Sequence, residues 1–351
     1  MTKKRNHYVP QFLLRRFASR GNRKRRWVWQ FRSGARPVEV VTRDAAVSTY
    51  FYGQPETGLE DAFADFEGRQ GTLLRDLDAG EDPNDRGQEL RVFVWSLAFR
   101  TRALRSHFAD TAERLLEQMK AVDGKTITDA FGREIANNLD HHLDAILAKL
   151  SPAQRAHAQQ AMRLPGVSDA MKTYALREVA KSVPMVGAVL GQVGGLIQGA
   201  AESGHVKGLM KLFAEGKVVP EKFEVPNWTV ELFEGNSVVL GDGVVFATGP
   251  NGDWGTLGKF TRSYAEVYAP ISHDRVLVGK RNKGTQTLGL AEINAASVQL
   301  SLDTFFASRR TDTEVNLADQ IGTGEPILSN EELARIAGDS WKSVGDPRAD
   351  T

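Results

Sequence analysis

The chain of 351 residues has no cysteine. That absence excludes a disulfide framework, thiolate zinc sites and a cysteine nucleophile, and it fits a reducing compartment or a chain indifferent to redox state. An apolar leader is also missing. Met-Thr-Lys-Lys-Arg-Asn-His-Tyr at the start is too polar for a signal peptide, so the expected location is the cytoplasm. Net charge is close to absent, +1 from 45 Lys+Arg against 44 Asp+Glu, and 41% apolar content completes an ordinary globular balance. Disordered, collagen-like and fibrous classes are excluded by it.

What is present is a strong segregation of charge. Residues 1–43 hold thirteen bases and one acid, Glu39, whereas residues 311–351 hold nine acids and three bases. A head of that kind neutralises the phosphates of a nucleic acid in a salt-dependent way, or it docks on the acidic surface of its own chain. Both readings are open from charge alone. The run Arg23, Lys24, Arg25 and Arg26 leads directly into Trp27 and Trp29, which alternate with Val28 and share a face with Phe31. Cations beside aromatics at period two suit phosphate contact with base stacking, and they suit equally the core face of a half-buried strand.

The pattern along the chain gives an α+β order. Pro10 stands where the first turn of a short helix tolerates it, with Phe12, Leu13, Leu14 and Phe17 as its apolar side and an end near Ala18. Residues 27–31 and 38–41, separated by Ser33-Gly34, predict a hairpin. Helical spacing then covers 56–79, 88–119, 128–150, 153–164 and 168–182, with Ser151-Pro152 as cap and first-turn proline of the fourth helix. After Pro226, β-rich runs at 228–233, 238–240, 244–246 and 276–278 predict a sheet, followed by a helix over 293–309 and a short last one over 330–338. The expected architecture is an N-terminal basic helix and β-hairpin, a central helical block, and a C-terminal antiparallel or mixed sheet with flanking helices. The corresponding stretches are 1–50, 51–215, 216–310 and an acidic tail over 311–351, expected to form one compact unit.

Residues 183–201 carry no charge, and Gly187, Gly191, Gly195 and Gly199 recur at four-residue spacing. On a helix they form one smooth ridge that permits close helix approach. Pro184, Gln192 and Gln198 make the stretch marginal as a bilayer span, so packing within the helical block is preferred over membrane insertion.

Three motif look-alikes resolve on inspection. The glycine-rich run 249–259 ends in Gly-Lys, but Phe260 replaces the Ser/Thr of a phosphate-binding loop and Asp253 replaces its first glycine, which predicts a hairpin loop. Asp140-His141-His142 with Asp144 has the spacing of a phosphoesterase metal motif, yet it lies on a helical stretch with no second cluster upstream and reads as a solvated face. Arg102 and His107 have the Arg-x4-His spacing of HEPN ribonucleases, a match expected about once by chance among 45 Lys+Arg and 7 His.

The segment Asn6-His-Tyr-Val-Pro-Gln-Phe-Leu-Leu-Arg-Arg-Phe-Ala18 resembles the opening motif of a bacterial family, domain of unknown function 4238. Later pieces are similar to the same family in order: Phe51-Tyr52, Leu59-Glu60 through Phe66-Glu67, Leu90 through Arg102, Trp228 leading to Leu240-Gly-Asp242, Ala269-Pro-Ile-Ser272, and Ile293-Asn294. Gly241-Asp-Gly-Val-Val245 stands where the family commonly has Ser-Asp-Asn-Pro-Val, and Arg100-Thr-Arg102 where it often has Arg-Thr-Pro. The family has no established activity, so the resemblance implies kinship without a reaction.

The residues in those segments nevertheless carry chemistry. His7 is the imidazole of the opening motif, and Glu60, Glu67 and Asp242 are carboxylates beside apolar neighbours, the first two seven apart and so on nearly one helix face. One histidine, several carboxylates and an arginine are the minimum equipment for binding magnesium or manganese and hydrolysing a phosphodiester. The expected catalytic set is therefore His7, Glu67, Arg102 and Asp242, with His7, Glu60, Glu67 and Asp242 as candidate metal ligands. Arg23, Lys24, Arg25, Arg26, Trp27 and Trp29 are the candidate nucleic-acid contacts. The competing reading is a buried polar network, in which His7 and Gln11 bond helix carbonyls and Glu67 pairs with Arg100 or Arg102 to tie the head to the helical block. The function expected first is a nucleic-acid-directed, metal-dependent phosphodiesterase or nuclease, with defence against phage as a setting. The alternative is a non-enzymatic sensor or interaction protein, binding a protein partner or a membrane surface through the basic head and glycine ridge.

Overall fold

The computed structural model describes residues 5–22, 24–49, 51, 59–122, 124–162, 223–260, 263–282, 287–324 and 330–343, with scattered positions between 166 and 219. The fold is α+β. By its contacts the chain divides into two units, residues 1–109 with 200–327 and residues 110–199 with 328–351. The first unit starts with β1 (Arg5–His7), α1 (Gln11–Leu14), a 3-10 turn over Arg15–Phe17, β2 (Arg20–Gly21), β3 (Arg26–Arg32), β4 (Val38–Val41) and β5 (Val47–Thr49). Then come α2 (Leu59–Asp78), α3 (Gly87–Phe99) and the first turns of α4 (Arg102–Ala121). The second unit takes α5 (Gly124–Leu147) and α6 (Pro152–Met162). The chain resumes the first unit with β6 (Asn227–Leu232), β7 (Leu240–Gly241), β8 (Phe246–Thr248), β9 (Trp254–Thr256), α7 (Leu257–Phe260), β10 (Glu266–Ser272) and β11 (Arg275–Lys280). It continues through α8 (Leu290–Gln299), β12 (Thr304–Ala307) and α9 (Asp312–Leu317), and ends in the second unit with α10 (Asn330–Ser343).

All strand pairings in the first unit are antiparallel. One sheet has the order β6-β11-β10-β8-β9, a second has β2-β3-β12-β7 with β4 also on β3, and β1 pairs with β5. β10 is buried along its whole length, so Val267, Ala269 and Ile271 on one face and Tyr268 on the other are apolar without alternation. In β3, Val28 and Phe31 point to opposite faces and are both buried, Phe31 stacking on Phe305 at 4.6 Å, while Trp27 and Trp29 are half-buried. The head is rooted in the core. Leu13, Leu14 and Phe17 pack in the same cluster as Phe93 and Val94 of α3 and the apolar residues of β10 and β11.

Local signals hold in several places. The β3–β4 hairpin forms with Trp29 opposite Glu39, and the 249–259 run supplies the β8–β9 hairpin turn over 249–253, with Thr248 opposite Trp254, before continuing through β9 into α7. Ser151 caps α6 reciprocally, its hydroxyl accepting from Gln154 N and its backbone N–H donating to the Gln154 side chain. Two expectations are corrected. The helix over 88–119 is broken at Arg100-Thr101, where the Thr101 hydroxyl donates to the Ala98 carbonyl and accepts from Leu104 N, ending one helix and capping the next. The helix over 293–309 stops at Gln299, and Phe305-Phe306 instead form β12 between β3 and β7, where both rings are fully buried.

In the second unit α10 packs on α5 and buries Leu333 and Ala337, four apart, while Ile127 and Ala130 form a small cluster with Met119, Val122 and Phe131. The Asp140–Asp144 stretch falls on α5, and its side chains lie outside the described residues, as do Arg23, the side chains of Glu60 and His107, and the glycine ridge 183–201. Among the described residues no helix is long and apolar enough to cross a membrane.

Candidate functional site

Two of the expected catalytic residues meet at Arg100. Arg100 is the buried C-terminal capping residue of α3, and its guanidinium pairs with Glu67 of α2 at 2.6 Å, donates to the His7 carbonyl at 3.3 Å and lies 4.2 Å from the centre of the Phe63 ring. The His7 ring hydrogen-bonds to backbone groups of Thr42 and Arg43, and burial followed by the Arg100 charge holds its pKa below the usual imidazole value. His7, through its carbonyl, and Glu67, through its side chain, are thus fastened to one arginine. The expected Glu67–Arg100 pair forms within the helical block, and the tie to the head is the bond from Arg100 to the His7 carbonyl.

Arg102 and Asp242 belong to a second network. Arg102 pairs with Asp303 at 2.6 Å and reaches the Tyr8 hydroxyl. Asp242 is fully buried and accepts backbone N–H bonds from Leu302 at 2.7 Å, Asp303 at 3.0 Å and Thr304 at 3.2 Å, thereby organising the turn between α8 and β12. Burial pushes its carboxyl up to about 6 against those three donors. Two residues on, Val244 is held at φ 57, a left-handed conformation that β-branched side chains rarely adopt. The four residues expected to act together are therefore divided between two networks, and among the described residues no three histidine or carboxylate side chains form a group able to hold a metal ion.

The basic head builds the more open feature. A cleft of about 590 Å³ lies between the 3-10 turn, β2, the end of α2 and the β10–β11 turn. Arg15, Arg16, Arg20, Arg26 and Arg275 line it with His273, against the carboxylates of Asp78 and Asp274. Asp78 receives both Nη atoms of Arg16, at 2.6 and 2.7 Å, and Arg275 at 2.7 Å. Partial burial works to raise its pKa, but these two cations outweigh it and hold the carboxyl below the usual range. Arg16 Nε also donates to the Ile271 carbonyl at 2.6 Å, and His273 N to the Arg16 carbonyl at 3.2 Å. Arg20 pairs with Glu39, the one acid of the head, and lies 4.9 Å from the centre of the Trp27 ring.

A second cleft of about 270 Å³ adjoins it, lined by Lys24, Arg25 and Arg43 and sharing Arg15 and Arg26 with the first. Arg15 bonds the Gln11 side chain and Arg26 the Arg15 carbonyl, so neither has an acidic partner among the described residues. Lys24 and Arg25 are exposed, their backbone N–H groups held by the Asn22 side chain at 2.9 Å each. Of the candidate nucleic-acid contacts, Lys24, Arg25 and Arg26 thus gather with Arg15 on one concave surface. Trp27 stands beside it, covered by Arg20 and by Arg25 at 5.9 Å, and Trp29 is approached by Arg310 at 5.6 Å. Arg15, Arg16, Asp78 and Arg275 were not distinguishable in the sequence as site residues. Only the surplus of bases in the head pointed toward the first two, and nothing local marks the others.

A family model described as a protein of unknown function (DUF4238) matches residues 5–184, just over half of the chain, and the chain belongs to that family. The segments around Asp242, Ser272 and Asn294 lie beyond the matched stretch. No curated protein and no solved structure matches the chain.

Proposed function

We propose that this protein binds nucleic acid in the cytoplasm, contacting the phosphate backbone through Arg15, Lys24, Arg25 and Arg26. The observation that carries this reading is the pair of adjoining clefts whose shared wall, Arg15 and Arg26, has no acidic partner among the described residues. Guanidinium groups match phosphate oxygens in geometry as well as charge. Binding is put ahead of cleavage, because Glu67 is engaged by Arg100 and Asp242 by three backbone donors, so both carboxylates serve the fold.

The test is fluorescence anisotropy with labelled single-stranded and duplex oligonucleotides across a salt series. Four phosphate contacts predict that log K falls against log salt with a slope near −3 for a single strand, at about 0.7 per contact. Replacing all four residues with glutamine should flatten that slope. Salt-independent binding, or a variant that binds as the wild type does, refutes the proposal. The same mixtures incubated with magnesium or manganese and run on a gel show whether hydrolysis accompanies binding, the outcome that would return His7 and Glu67 to a catalytic role.

A further inference from the structure

The larger cleft has features that a merely basic surface patch does not need. We infer that it seats one nucleoside phosphate, with the smaller cleft holding the neighbouring phosphate of a single strand; this rests on the nucleic-acid reading above and names its ligand unit.

Three segments distant in sequence, 15–26, the end of α2 at Asp78 and 272–275, converge on the cleft, and two of its cations are held in place before any ligand arrives. Asp78 clamps Arg16 and Arg275 side by side, while the Ile271 carbonyl fixes the remaining edge of Arg16. One carboxylate shared by two guanidiniums leaves that trio net positive, and Arg15 and Arg26 add to the excess. A volume of about 590 Å³ is in the range of small-molecule sites, and a concave wall receives a single nucleotide better than the convex backbone of a duplex. The lining is also chemically mixed. Asp274, which accepts from the Ser272 hydroxyl at 2.5 Å, supplies carboxylate oxygen for sugar hydroxyls or base amino groups, and Asn22 adds an amide. A purely anionic ligand would meet Asp78 and Asp274 with repulsion, whereas a nucleotide brings donors as well as charge. Trp27 already carries two guanidiniums, so base stacking is not what the site offers, and recognition is of phosphate and sugar without base sequence.

The experiment titrates the full-length chain by calorimetry with AMP, adenosine, inorganic phosphate and a single-stranded dodecanucleotide. The expected result is that AMP binds, adenosine does not, inorganic phosphate binds more weakly than AMP, and AMP displaces the oligonucleotide. Arg275→Gln and Arg15→Gln should each weaken AMP at least tenfold, and Lys24→Gln should weaken the oligonucleotide. Arg15 is exposed and, among the described residues, its side chain bonds that of Gln11 alone, so its variant decides the matter if Arg275→Gln fails to fold. Should the oligonucleotide bind while AMP neither binds nor displaces it, the nucleotide seat is overturned and the nucleic-acid reading survives. AMP binding without oligonucleotide binding keeps the seat, assigns it to a free nucleotide and overturns the nucleic-acid reading. Inorganic phosphate binding as tightly as AMP overturns the nucleoside assignment, and binding of neither probe overturns both.

Discussion

Arg100 decides whether the His7–Glu67 pair is architecture or chemistry. Replacing it with methionine keeps most of the side-chain volume over Phe63 but leaves the Glu67 carboxylate and the His7 carbonyl without their donor. Removing one partner of a buried ion pair costs about 3–5 kcal/mol. The Arg100 side chain is 6% exposed and that of Glu67 26%, so water reaches the abandoned carboxylate and the expected loss is nearer 2–4 kcal/mol. Tryptophan fluorescence during urea unfolding reports this, because five of the six tryptophans, Trp27, Trp29, Trp95, Trp228 and Trp254, belong to the first unit. Adding Glu67→Gln completes a double-mutant cycle in which a charge-assisted bond should appear as a coupling of about 1.5–3 kcal/mol. Arg100→Lys should fall between, since an ammonium cannot pair with Glu67, reach the His7 carbonyl and lie flat on Phe63 together. A loss below about 1 kcal/mol with no coupling would refute the structural reasoning.

Two further outcomes follow from the second network. The Asp242 carboxyl, at about 6 in the folded state against 3.8 ordinarily, binds its proton more tightly folded than unfolded, so its contribution to stability is full below about 3.8 and declines as pH rises through about 6. The decline amounts to about 3 kcal/mol at 1.4 kcal/mol per unit, and the difference in unfolding free energy between wild type and Asp242→Asn should fall across that window; a difference flat in pH rejects the shift. A Cβ at Gly241 would stand 2.2 Å from the Ser297 carbonyl oxygen and 2.5 Å from Ser301 Oγ, so Gly241→Ala must push α8 away from β7. That should cost about 1–3 kcal/mol by thermal unfolding, and an unchanged Tm would mean that α8 yields freely.

Where neighbours in sequence decide the structure, the pattern was readable: α2, α5 and α6 follow the apolar spacing, and β3–β4 follows alternation and a Ser-Gly turn. The failures share a cause. The apolar spacing of 88–119 continues across Arg100-Thr101, and nothing in it shows that the Thr101 hydroxyl caps a new helix. Residues 293–309 satisfy helical spacing throughout, yet Phe305 and Phe306 become a strand because β3 and β7 present open edges on either side, Phe305 pairing with Phe31, 274 positions away, and with Gly241, 64 positions away. β1 is only three residues long and exists because β5 lies opposite it, His7 facing Val47. Strand formation here is a property of pairs, and the partner of a short strand cannot be read from the strand itself.

The head illustrates the same point for charge. Counting bases over 1–43 gives a sum, but a field at the surface depends on which charges folding leaves uncompensated. Glu39 takes Arg20 within the head, whereas Asp78 takes Arg16 from 62 residues away and Arg275 from 197 residues away. Those pairings do not abolish the positive cleft, because one carboxylate divided between two arginines cancels only half of their charge. They also convert flexible side chains into fixed donors, which lowers the ordering cost that a ligand would otherwise meet. The consequence runs opposite to a simple tally. Asp78, an acid in the middle of a basic site, should strengthen phosphate binding by holding Arg16 and Arg275 in register, so Asp78→Asn, although it makes the cleft more positive, is expected to weaken AMP severalfold in the same titration. Tighter AMP binding by that variant would show that net charge, and not the placement of the guanidiniums, governs the site.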